Sequence, residues 1–205
     1  QRMVRRRLRP KVRLATSDEE GWRLYERYRS YVLCVISDVQ YPRAGSEDPE
    51  AGLRLLEIIR STDPDLPLLL QSSRPDIESQ AARTGAAFLW KHSPTILQDI
   101  RGFMLERLGF GDFVFRQPDG TVVARAADVA SMLAVVDDIP SDCLEYHGLR
   151  HDFANWLMAR TEFDMASELR GLDVSDFLSM EHMREHLRRS LGEVQSRKRL
   201  GQTPA

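Results

Sequence analysis

Apolar and polar positions change period several times along the chain, and each change predicts an element. Residues 31–37 (YVLCVIS) form a continuous apolar run, the mark of a strand buried on both faces of a parallel sheet. Residues 68–71 and 86–90 are two further apolar runs of strand length. Between them the spacing turns to three and four. Leu53, Leu56 and Ile59 share one face over residues 50–60, with Arg54, Glu57 and Arg60 on the other, which predicts a helix. Residues 75–84 predict a short polar helix stopped by Gly85. Ser93 and Pro94 offer an N-cap and a first-turn proline for a helix to about Leu108, with Leu97, Ile100 and Met104 apolar. Ahead of the first run, residues 11–16 (KVRLAT) alternate like a short strand. Ser17 and Glu20 then have capping-box spacing for a helix to about Arg29. Residues 1–9 read as the end of a helix broken by Pro10. Strict alternation of strand and helix predicts right-handed crossovers and a parallel sheet.

The pattern changes at Phe110. Residues 112–125 read as a β-hairpin around Pro118, Asp119 and Gly120. Helices are predicted over 128–136, 142–160 and 162–169, and a last one from near Ser175 to about Arg199. The boundary at Gly109-Phe110-Gly111 gives an α/β domain over 1–108, a hairpin plus helical domain over 111–174, and a C-terminal amphipathic helix and tail over 175–205.

Composition narrows the classes. A chain of 205 residues with 42% hydrophobic content can bury a core. A net charge of -2 lacks the basic excess of a general polyanion binder. No apolar run nears the ~20 residues that span a bilayer. No apolar segment of signal-peptide type follows the basic start, so the expectation is a cytoplasmic protein without membrane contact. Cys34 and Cys143 do not make a disulfide framework. Lys11, Lys91 and Lys198 are the only lysines.

Three strand ends carry the candidate chemistry: Asp38, Ser72 and Lys91. In an open parallel sheet that edge is where sites form. A carboxylate that accepts a phosphoryl group needs its charge offset, and a hydroxyl and an ammonium to hold the incoming oxygens.

On these residues the stretch 1–108 resembles the receiver domain of bacterial response regulators. Asp38 matches the phosphoacceptor, and Pro42 the proline of the following loop. Gly52-Leu53 matches the opening of the third helix, displaced by an insertion over 43–51. Asp65-Leu66-Pro67 and LLLQSS match the fourth strand, with Ser72 at the hydroxyl position. Gly85-Ala86 matches the turn before strand five, and Phe88 the switch aromatic. The resemblance implies a flavodoxin-like α/β fold and a Mg²⁺ ion held by Asp38 and the backbone of Gln40. It also implies a phosphoryl group supplied by a histidine kinase or another phosphodonor. Two departures stand out. No strand one and no acidic pair ahead of strand two are present, so an upstream segment is expected to be missing or a strand to come from elsewhere. Lys91 is followed by His92 where the family usually has proline.

GDFVFRQPDGTVVARA, the stretch from Asp138 to Arg170, and VSDF resemble a small bacterial domain of unknown function. The two domains together resemble the front part of phosphoenolpyruvate synthase-like proteins, which carry a pyruvate, phosphate dikinase ATP-binding domain further on. The resemblance implies a phosphorelay receiver regulating an attached or associated enzyme, with no catalysis of its own. Its alternative is a phosphorylation-incompetent pseudo-receiver acting as a dimerisation or regulatory scaffold of such a protein.

Other stretches bear on partners and metals. Phe177, Met180, Met183, Leu187, Leu191 and Val194 form a coiled-coil-like stripe, which suits a homodimer or packing on its own domain. His147 and His151, like His182 and His186, are four apart, a spacing that puts two rings on one helix face without a third ligand. Arg2, Arg5, Arg6, Arg7 and Arg9 read as a solvated helix face. No helix-turn-helix recognition pattern follows, which argues against DNA.

Overall fold

The computed structural model describes residues 10–199, and the chain divides into two compact units, 1–108 and 109–205. The helix end and arginine cluster expected over 1–9 lie outside the described residues.

The first unit runs α1 (Asp18–Tyr28), β1 (Val35–Asp38), β2 (Tyr41–Arg43), β3 (Ser46–Asp48), α2 (Ala51–Thr62), β4 (Leu68–Ser72), α3 (Glu78–Arg83), β5 (Ala87–Trp90) and α4 (Ile96–Glu106). It is mixed α/β with a three-stranded parallel sheet in the order β1-β4-β5. Leu68, Leu70 and Val35 turn to a core shared with Tyr25 of α1, Leu53, Leu56 and Ile59 of α2, and Ile77 and Ala81. Period-two alternation then puts Ile36, Leu69 and Leu89 on the opposite face. There α4 packs along β5, and Leu69 and Leu89 are buried, but Ile36 is 54% exposed.

Three expectations are corrected here. Residues 11–16 form no strand, and Val12 and Leu14 are exposed: alternation without a partner to pair with leaves the backbone in coil. The apolar run 31–37 is not a strand buried on both faces. A 3₁₀ turn (Arg29–Tyr31) takes its front, and β1 is an edge strand of the described sheet. The predicted loop after Asp38 holds a hairpin, β2–β3, turned at Ala44 and Gly45 with φ of 48° and 80°, the type I′ pattern.

The exposure of Ile36 is testable. Ile36→Thr is expected to change stability by less than about 0.5 kcal/mol. Leu70→Ala, on the covered face of the adjacent strand, should cost about 2–5 kcal/mol. Urea titrations of the two variants make the comparison, and a large loss on Ile36→Thr would mean that this face is covered in solution.

The second unit runs β6 (Phe113–Arg116), β7 (Val122–Ala126), α5 (Val129–Val135), α6 (Ser141–Gly148), α7 (Asp152–Ala159), α8 (Phe163–Arg170) and α9 (Met180–Arg199). β6 and β7 pair antiparallel around the expected turn. Asp128 caps α5 by accepting the Ser131 N–H at 2.8 Å. The single helix expected over 142–160 is two. The chain breaks at His151, which takes a left-handed φ of 51° between α6 and α7. Met183, Leu187, Leu191 and Val194 of α9 are buried, with α9 packed on α5, on α6 and on the 3₁₀ turn Val136–Asp138. Four of the six stripe residues are thus covered by their own unit, while Phe177 and Met180 stay half-buried.

Candidate functional site

β1 and β5 both flank β4, so their C-terminal ends stand two strand spacings apart, about 10 Å. Asp38 closes β1, and Lys91 follows β5 directly. A lysine is long enough to cross that gap, and its Nζ forms an ion pair with Asp38 Oδ2. Both side chains keep about a third of their surface in solvent, at 36% and 37%. The other carboxylate oxygen, Oδ1, accepts the Val39 N–H at 2.8 Å.

Ser72 ends β4 between them. Its carbonyl accepts the Lys91 N–H at 2.8 Å. Its hydroxyl is buried and accepts the Arg74 N–H at 3.0 Å, closing the turn after the strand. The structure therefore joins Asp38 to Lys91 through side chains, and brings in Ser72 through its backbone. Phe88 is half-buried against the core cluster. Gln40 is exposed in the turn between β1 and β2.

Several residues that hold the site were not singled out as such by pattern. The Ser37 hydroxyl donates to the Asp38 carbonyl at 2.8 Å and lies 3.3 Å from the Tyr41 hydroxyl. Burial raises the Tyr41 phenol, while its bond with Ser37 pulls the other way. Gly52 donates its N–H to the Val39 carbonyl at 3.0 Å, and any Cβ there would overlap the Asp38 carbonyl oxygen. The Trp90 indole N–H donates to the Ser73 carbonyl at 3.3 Å, bracing β5 against the β4 turn. Arg74 pairs with Asp76 at 2.8 Å, which raises the guanidinium and lowers the carboxyl.

Mg²⁺ demands near-octahedral oxygen coordination and dehydrates reluctantly. Here one carboxylate offers itself with Oδ1 on a backbone N–H and Oδ2 on an ammonium. Among the described residues no three His, Cys, Asp or Glu side chains group to hold a metal. These donors by themselves do not fit a Mg²⁺ centre.

The histidines have other work. His147 is buried, and its Nε2 accepts the Arg116 N–H at 2.9 Å, so Nδ1 carries the proton toward Asp152 Oδ2 at 2.8 Å. Its ring lies among Phe113, Phe115 and Phe153. The break at His151 overturns the shared helix face expected for this pair. His182 accepts the Leu178 N–H through Nδ1 at 3.3 Å, and His186 Nε2 lies 3.1 Å from Glu168. Both cysteines are free, and burial pushes each thiol up to about 11.

The described residues define a two-unit protein whose α/β unit carries an acid–ammonium pair at the C-terminal edge of a parallel sheet. No family model matches the chain, and neither a curated protein nor a solved structure matches it. Among the described residues no helix is long and apolar enough to cross a membrane.

Proposed function

We propose that the first unit is a receiver-type signalling module of flavodoxin-like ancestry, with Asp38 as its phosphoacceptor. The observation that carries this reading is the ion pair between Asp38 and Lys91 over the end of β4. In the step itself, Asp38 Oδ2 attacks the donor phosphorus and forms an acyl phosphate. The donor P–N or P–O bond breaks, and the leaving imidazole or carboxylate keeps the electron pair. Lys91 turns from the carboxylate to the new phosphoryl oxygens. Ser72 would have to release the Arg74 N–H before its hydroxyl could reach them. Phe88 packs further inward in the phosphorylated state. Such a module regulates an attached or associated enzyme of the phosphoenolpyruvate synthase-like kind, and catalyses nothing itself.

A second reading is favoured by the donor set. With one carboxylate already engaged at both oxygens, the unit works as a pseudo-receiver, a scaffold that keeps the fold without phosphoryl transfer. Homodimerisation would then use a surface other than the buried stripe of α9.

Incubation with acetyl phosphate and Mg²⁺, followed by intact mass measurement, separates the two. The first reading expects a gain of about 80 Da, the mass of one added phosphoryl group, lost in Asp38→Asn. No gain at any donor concentration, with the fold intact by circular dichroism, leaves the pseudo-receiver.

A further inference from the structure

We infer that Lys91, rather than a divalent cation, is the resident counter-ion of Asp38, and that the pair is a strap closing the sheet edge. The inference rests on the placing of Asp38 and Lys91 at one site, and holds for the unphosphorylated state of either reading.

Donor number comes first. Cation sites that fill at millimolar concentration are built from several oxygens around one point. Asp38 Oδ1 is taken by the Val39 N–H, and Oδ2 faces the Lys91 ammonium. A divalent ion arriving at Oδ2 would meet a positive charge already there. It would find no group of three His, Cys, Asp or Glu side chains to complete a site among the described residues.

The setting of Lys91 comes next. Its N–H is fixed to the Ser72 carbonyl, and the neighbouring Trp90 indole is fixed to the Ser73 carbonyl. The base of the lysine is therefore anchored on the β4 turn, and its arm runs from β5 to β1. The strap lies over the strand end that carries Ser72. A cation seeking Asp38 Oδ2 meets that ammonium first. Exposed ion pairs add little to stability, so the strap matters for access and not for folding.

The test uses the whole chain labelled with ¹⁵N, and Mn²⁺ as the probe. Up to 10 mM Mn²⁺ (about the top of the millimolar range) should broaden the amides of Ser37, Asp38 and Val39 no more in the native chain than in Asp38→Asn. Lys91→Met should raise Asp38-dependent broadening several-fold by uncovering Oδ2. Lys91→Met and Asp38→Asn should also shift an overlapping set of amides at the ends of β1 and β5, with little further change in the double variant. Saturable, Asp38-dependent broadening of the native chain at or below about 1 mM would overturn the inference. So would additive shifts in the double variant. The mass assay reports separately on phosphoryl transfer, so a failed strap and a failed receiver reading give different results.

Discussion

Replacing Gly52 with alanine is expected to destabilise the first unit by about 3 kcal/mol, at the upper end of overpacking costs. The methyl would overlap the Asp38 carbonyl oxygen, and it would also lie 2.9 Å from the Ser37 hydroxyl oxygen. The backbone carbonyl cannot step aside cheaply. The carbonyl belongs to the sheet, and the first turn of α2 is tied to β1 through the Gly52 N–H on the Val39 carbonyl. Gly102 in α4 supplies the control, because a Cβ there meets nothing within 4 Å. Gly102→Ala should stabilise by about 0.5–1 kcal/mol through helix propensity. Urea unfolding of both variants reads the contrast. In Gly52→Ala the amides of Asp38 and Val39 should shift even where the fold persists. An unchanged unfolding midpoint for Gly52→Ala would show that α2 does not lie this close to the acid.

Trp156→Ala in the second unit is expected to cost about 3–5 kcal/mol. The side chain is 1% exposed and meets Phe113 edge-on, and its indole N–H donates to the Gly111 carbonyl at 3.2 Å. Arg160 lies 3.5 Å over its ring, and burial brings that guanidinium down to about 10. The arginine also donates to the carbonyls of Gly109 and Ala127. Truncating the tryptophan leaves a cavity and strips a half-buried cation of its aromatic partner. Trp90→Ala, at 38% exposure, should cost far less. Separate amide signals of the two units should show Trp156→Ala acting on the second, and a loss below 1 kcal/mol would refute the packing described.

Where the chain has short, mainly apolar strands, its residues announced them. β4 and β5 lie within a residue of the expected runs, because leucines and aromatics bounded by turns have few other fates. Neighbours were harder to read than elements. The apolar run before Asp38 says that a strand can be buried on two faces, not that both faces are covered, and Ile36 shows the difference. His151 broke a helix that periodicity carried straight through, since Phe153, Trp156 and Leu157 continue the apolar spacing and no proline or glycine marks the left-handed residue itself. The capping box at Ser17 formed only by half. Ser17 accepts the Glu20 N–H at 3.3 Å, but the Glu20 carboxylate reaches past it to the Thr16 N–H at 2.8 Å. β2 and β3 are polar and so carried no hydrophobic signal. Charge holds them, through Arg43 on Asp18 at 2.9 Å. At the candidate site, the strand ends fixed where Asp38, Ser72 and Lys91 emerge. The direction of the Ser72 hydroxyl depended on the turn it closes, which no spacing reveals.

The hairpin behind Asp38 has a mechanical consequence. Its tip is held by the Ala44 N–H on Glu19 at 2.7 Å, a bond that brings the Glu19 carboxyl down to about 2, and its first strand is pinned by Arg43. That arm is an outrigger lashed to α1. Beyond Lys91, residues 92–95 lie largely in solvent, and the Ser93 hydroxyl ties them to α4 by donating to Asp99 at 2.7 Å. The carboxylate thus stands between an arm moored to α1 and a segment moored to α4.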